Sequence, residues 1–250
     1  MSESREPVSG VLVVDKPVGL SSARAVAIVK RRAGGVRTGH AGTLDPLATG
    51  VLVIALGKAT KIIERLMNTS KRYRTAIDLS AFTTTDDAEG ERLDVERAGG
   101  VGGVGCVGGP PTREDVERAL AGFAGRIMQQ PPSYSAMKVG GRRAYRLSRQ
   151  GQPPHLAARA VVVHSIALSR YDWPIAEVEL HCGKGFYVRS LARDLGKALG
   201  TGGFCASLRR TAVGPFDESM AVGLEALPER ITAGDVISIE RALAMVDAAC

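Results

Sequence analysis

The stretch GHAGTLDPLATGVL, residues 39–52, constrains this chain more tightly than any other part of it. Three glycines, a histidine and an Asp-Pro pair run directly into VLVIAL at 51–56. Six apolar residues bounded by Gly50 and Gly57 predict a buried strand. Asp45 followed by Pro46 has the pattern of a helix N-cap with proline at the first helical position, and Gly50 would close so short a helix. The competing reading is chemical: one carboxylate held in a constrained loop, with no second acid, cysteine or metal-ligand cluster beside it. Spacing alone favours the cap.

At 250 residues the chain is one large domain, or one domain with a small appendage. Its net charge of +7 suits a polyanionic partner, although a basic soluble surface accounts for it equally well. No stretch approaches the roughly 20 apolar residues of a membrane span. The start, MSESREPVSG, carries acids and no apolar core, which is not the pattern of a signal peptide. Cys106, Cys182, Cys205 and Cys250 are scattered without a CxxC pair, so a reduced, cytoplasmic setting is expected. Neither zinc nor other metal catalysis is suggested by the dispersed cysteines and histidines.

The pattern predicts a strand over 11–14, a turn at 16–19, and a helix over about 23–32 capped by Ser21 or Ser22. After VLVIAL come a helix near 59–67 and a half-buried strand in KRYRTAIDL, with Tyr73, Thr75, Ile77 and Leu79 on one face. Residues 98–111 are a glycine-rich connection, and a helix follows at about 112–122. Strands are expected near 160–168 and 175–182. FYVRSLARDLGKALG is an amphipathic helix with Leu191, Leu195 and Leu199 inward and Gly200 as its stop. ASLRRTAVGPF is strand-like, and 222–250 is helical in pattern. Without regular βαβ alternation, the expected class is α+β with a largely antiparallel sheet.

Residues 129–151 hold Lys138, Arg142, Arg143, Arg146 and Arg149, interleaved with Tyr134 and Tyr145 and with no acid. Read as partly helical, the segment puts Arg142, Arg146 and Arg149 on one face. It is either a solvated basic helix or an arm facing phosphates, and the missing acids favour the arm. Arg189 falls in the first turn of its helix, where the macrodipole disfavours a cation unless an anion compensates. It is a surface arginine, or it meets a carboxylate or phosphate, with Asp45 a candidate. Tyr73 is either core or a ring for stacking on a base. His40 is a turn residue or a stacking ring.

GHAGTLDPLATGVL resembles the signature loop of the TruB-type tRNA pseudouridine synthases. Further stretches of that family follow in order: DKPVGLSS at 15–22, KRYR at 71–74 and TTTDDAEG at 83–90. SYSAMKVGGRRAYRLSRQG falls at 133–151, CGKGFYVRSLARDLGKALG at 182–200 and LRRTAVGPF at 208–216. The resemblance implies a pseudouridine synthase fold, with a central, mainly antiparallel mixed sheet flanked by helices and loops. It implies a catalytic domain over 1–220, with an RNA-gripping arm at about 129–155 and a short helical tail at 221–250. Some 30 residues after the last motif are too few for the PUA-type domain that bacterial relatives carry.

By the same resemblance, Asp45 is the nucleophile that isomerises the T-loop uridine at position 55 of tRNA, without a cofactor. Attack at C6, attack at C1′ and a glycal route all remain open. Tyr73 would stack on the base, and Arg189 would pair with Asp45. His40, Tyr187 and Leu208 would contact the flipped nucleotide or shape its pocket. Lys138, Arg142, Arg143, Arg146 and Arg149 would meet the RNA backbone. The expected partner is the T-stem loop of tRNA, with no membrane and no obligate protein partner, and the chain acting as a monomer. Three positions depart from the pattern: Ala157 and Ala160 where Glu and Pro are common, and Ser80 in place of a glycine. A non-catalytic RNA binder on the same scaffold is the alternative, and intact Asp45, Tyr73 and Arg189 argue against it. A synthase for a different uridine, as in RNA-guided relatives, is the other.

Overall fold

The structure, a computed structural model, describes residues 7–93, 109–134, 138–139, 142–143, 154 and 156–249. In chain order its first elements are β1 (Gly10–Lys16), α1 (Ser22–Arg32), β2 (Thr38–His40), β3 (Ala48–Leu56), α2 (Ile63–Met67) and β4 (Lys71–Asp78). There follow β5 (Phe82–Thr83), β6 (Arg92–Leu93), α3 (Arg113–Ala121), β7 (Gly125–Gln129), β8 (Lys138–Val139) and β9 (Arg142–Arg143). The last are β10 (Arg159–Asp172), β11 (Ile175–Cys182), α4 (Val188–Leu199), β12 (Phe204–Val213), β13 (Phe216–Asp217), β14 (Val222–Gly223) and α5 (Ile239–Ala248).

Two compact units result, Met1–Arg72 with Arg209–Cys250, and Tyr73–Leu208. In the first the strand order is β14-β1-β3-β12, with β2 on β3 and β13 on β12. In the second it is β12-β4-β11-β10-β7. The β1–β14 ladder is parallel, while β1–β3, β2–β3, β7–β10, β10–β11 and β12–β13 are antiparallel. The α+β class and the mainly antiparallel mixed sheet are thus both present.

The first unit is built on the strand that the apolar run at 51–56 announces. Val51, Val53 and Ala55 of β3 pack with Val11, Val13 and Phe216 in a buried cluster. Burying such side chains is worth roughly 1.5–3 kcal/mol each, so β3 anchors the unit. Ser21 caps α1 by accepting from Arg24 N, as expected. In the second unit, Thr75, Ile77 and Leu79 are buried and Tyr73 is half-buried, in line with their alternation. Leu191 and Leu195 of α4 are fully buried and Leu199 partly so, and Gly200 ends the helix in the left-handed conformation at φ 69°.

Three expectations are corrected. The helix near 59–67 is a 3₁₀ segment, Gly57–Ile62, followed by the short α2. Among its described residues the tail is α-helical only over Ile239–Ala248, with a 3₁₀ turn at Ala233–Asp235. Gly223, Pro228 and Gly234 interrupt what its Ala/Leu content suggests. No helix begins at Asp45.

Candidate active site

Asp45 occupies the first position of a β-turn. Ala48 N donates to Asp45 O at 3.1 Å, with Pro46 second in the turn, where its fixed φ is favoured. The helix is ruled out by sheet pairing: β3 already starts at Ala48, and Gly50 is registered opposite Lys16 of β1. Gly50 is a contact glycine instead of a helix stop. Its φ is +98°, and a Cβ there would lie 2.2 Å from the carbonyl oxygen of Arg210.

The loop is held on both sides of Asp45 by groups within the first unit. Buried Ser22 donates its hydroxyl to Leu44 O at 2.9 Å and accepts from Leu44 N at 2.8 Å. Lys16, fully buried, donates to Pro17 O and Leu20 O at 2.8 and 2.7 Å and reaches Pro46 O at 3.4 Å. Gly19 N donates to Pro46 O at 2.8 Å. Arg210, only 1% exposed, donates Nε to Val51 O at 2.8 Å and Nη2 to Gly42 O at 3.1 Å. Residues 42, 44 and 46 are therefore fixed, while Asp45 itself is half-buried. His40 ends the edge strand β2, opposite Ile54 of β3, and is also half-buried.

Arg210→Met is expected to destabilise the protein by about 2 kcal/mol or more, because buried carbonyls lose a charged donor. Urea unfolding measures it. A change under about 0.5 kcal/mol, the level of an ordinary surface substitution, would contradict the clamp.

In the second unit, Tyr73 and Leu208 stand on the neighbouring strands β4 and β12, tied where Thr75 Oγ1 donates to Ser207 O at 2.7 Å. Tyr187 is the N-cap residue of α4, and Arg189 lies in its first turn. Gln129, 2% exposed, grips the Tyr187 backbone from both sides: its amide donates to Tyr187 O at 3.0 Å and accepts from Tyr187 N at 2.8 Å. The Arg159 guanidinium lies over the Tyr187 ring, 5.3 Å from its centroid.

Arg189 is 4% exposed and has an ion pair with Asp87 at 3.2 Å. It also donates to Thr85 O at 3.0 Å and Tyr134 O at 2.8 Å. Asp87 is thus a carboxylate that meets the dipole argument, and the sequence reading did not single it out. One helical turn on, Arg193 pairs with Asp86 at 3.0 Å. Two arginines four apart facing two adjacent acids was the signal available in TTTDDAEG and VRSLARD. Ser190 Oγ and Arg193 Nη2 both donate to Gln130 O, so the start of α4 fastens the root of the 129–151 segment at residues 129, 130 and 134.

Burial pushes the Asp86 carboxyl above its ordinary value of 3.8, against the pull of Arg193 and Arg189. A raised folded-state pKa contributes stability that is complete below the unfolded value and lost as pH rises through the folded one. Asp86→Asn is expected to lack that loss, and it keeps a residue tolerant of the left-handed φ of 60° found here. Denaturant midpoints above pH 3.8 test this. Identical pH profiles for the two proteins would contradict it.

Lys138, Val139, Arg142 and Arg143 form a two-stranded pair, β8 with β9. Arg142 therefore does not share a helix face with Arg146 and Arg149, which lie outside the described residues. Lys138 is registered opposite Arg143 and Val139 opposite Arg142, an antiparallel pairing that a helix over these residues would exclude. Among the described residues, no cluster of three or more His, Cys, Asp or Glu side chains is placed to hold a metal ion. No helix among them is long and apolar enough to cross a membrane.

Residues 30–188 match the model of the TruB family pseudouridylate synthase N-terminal domain, and 189–249 that of the tRNA pseudouridylate synthase B C-terminal domain. The chain is 48% identical over 223 residues to a Caulobacter sp. (strain K31) tRNA pseudouridine synthase B, covering 89% of this chain and 68% of that protein. With the Nitrobacter winogradskyi protein of the same name it shares 45% over 237 residues, 92% of this chain and 63% of that one. A solved Cbf5-Nop10-Gar1 complex contains a similar chain, with TM-score 0.65 and 28% identity over 86% of this chain and 52% of that one. An H/ACA RNP bound to a substrate RNA containing 2′-deoxyuridine gives TM-score 0.62 and 26% identity, over 86% of this chain and 51% of that one. The chain thus spans about half the length of these two structures' chains.

Proposed function

The chain belongs to the TruB family of pseudouridylate synthases, and from that membership we propose that it converts the T-loop uridine of tRNA to pseudouridine, with Asp45 as the nucleophile. What most supports the assignment of Asp45 is its setting: a half-buried carboxylate on a β-turn, in a loop pinned by Ser22, Lys16 and Arg210. Fixing the backbone in advance removes the entropy of orienting an attacking group.

The reaction is an isomerisation. The C1′–N1 bond breaks and a C1′–C5 bond forms; C5 gives up a proton and N1 gains one. Nothing is oxidised or reduced. A carboxylate suits such chemistry because it adds to the substrate and later leaves unchanged. The uridine is stacked within the folded loop and must be flipped out to react. By the family membership, Tyr73 stacks on the displaced base, and Tyr187, Leu208 and His40 border it. Gln129 sets the Tyr187 backbone. The basic 129–151 segment meets phosphates of the T stem. The chain acts alone, as a monomer.

The test is tritium release from tRNA carrying 5-tritiated uridine. One equivalent per tRNA is expected. No release from correctly folded tRNA would overturn the reading.

A further inference from the structure

We propose that the end of α1, strand β2 and the 3₁₀ segment Gly57–Ile62 form a second phosphate-binding surface, which meets the backbone of the RNA substrate in addition to the 129–151 segment. The proposal rests on the reading of the chain as a tRNA-modifying enzyme. Between residues 16 and 63 the sequence holds eight lysines and arginines and a single acid, Asp45. Lys16 is buried, and Arg32 is turned to the carbonyls of Leu224 and Leu227. The rest are exposed: Arg24, Lys30, Arg31, Arg37, Lys58 and Lys61.

Five of these are carried by segments that hydrogen-bond to one another. Gly35 N donates to Lys30 O at 2.9 Å, closing the turn that leads from α1 to Arg37. Gly57 N donates to Arg37 O at 2.8 Å, which brings Arg37 beside Lys58. Lys61 lies one 3₁₀ turn further on. Strand β2 then carries the chain to His40, five residues before Asp45, all within one unit.

Five exposed arginines elsewhere are matched to acids: Arg65 with Asp247, Arg92 with Asp78, Arg113 with Glu117, Arg118 with Asp115, and Arg170 with Asp172. Lys30, Arg31, Arg37, Lys58 and Lys61 have no carboxylate partner among the described residues. Clustered cations left without acids raise the local potential and condense onto a polyanion, releasing its counterions. A phosphodiester backbone supplies that charge in a regular array.

The test compares two five-fold variants of the full chain, each checked for folding by circular dichroism. One replaces Lys30, Arg31, Arg37, Lys58 and Lys61 by Gln. The other replaces the acid-matched Arg65, Arg92, Arg113, Arg118 and Arg170 by Gln, removing the same charge. Binding to one tRNA transcript is measured by filter retention across a salt series. The surface variant is expected to lose at least about 2 units of log–log salt slope, the worth of three phosphate contacts at roughly 0.7–0.9 each. The acid-matched variant should lose less than half as much. A smaller loss in the surface variant, or an equal loss in both, would overturn the proposal. Binding is read without turnover, so a wild-type chain that binds tRNA but releases no tritium refutes the isomerase reading and leaves this surface standing.

Discussion

Asp45→Asn is expected to form pseudouridine at least about a thousandfold more slowly than the unaltered chain, a barrier higher by roughly 4 kcal/mol. The amide keeps the shape of the side chain and removes the attacking oxygen's charge. The loop around it has anchors independent of that carboxylate: Leu44 on Ser22, Pro46 on Gly19 and Gly42 on Arg210. Affinity for tRNA should therefore stay within about twofold, since phosphate contacts elsewhere carry it. Tritium release measures the first quantity and filter binding the second. Turnover within tenfold of wild type would remove Asp45 from the chemistry.

Asp87→Ala should cost about 3–5 kcal/mol of stability, the scale for removing one partner of a buried ion pair. Its carboxylate and the Arg189 guanidinium are 4% and 5% exposed, 3.2 Å apart. The substitution also strips an acceptor from Thr85 Oγ1 and from Glu89 N. Because Arg189 also holds Tyr134 O, the root of the basic segment should loosen with it. Denaturant unfolding reads the loss. Asp87→Asn, which retains an acceptor oxygen, should fall between. A loss below about 1 kcal/mol for the alanine variant would place the compensation of Arg189 elsewhere.

Strand β3 and helix α4 were legible because their signals are local. An apolar run bounded by glycines and a 3.6-residue repeat closed by Gly200 need no knowledge of partners. Spacing alone favours a cap at Asp45-Pro46 because helix N-caps and β-turns share that dipeptide. The choice between them is made by the pairing of Gly50 with Lys16, which lies far off in sequence. Arg210 and Gln129 were not assigned for the same reason. A polar side chain is stable in the interior only where distant carbonyls and amides receive it, and residue type does not reveal them. Asp87 was within reach, since Arg189 called for an anion and TTTDDAEG offered three, Asp86, Asp87 and Glu89. The roles given to Tyr73, Tyr187 and Leu208 came from resemblance; the pattern around Tyr73 allows a core position equally well.

One measurement bears most directly on the whole account. Purified protein is incubated with an unmodified tRNA transcript, and the RNA is treated with carbodiimide and read by primer extension. One new stop is expected, at the T-loop uridine of position 55, appearing with wild type and not with Asp45→Asn. No stop at that uridine, or stops spread over other uridines, would contradict it.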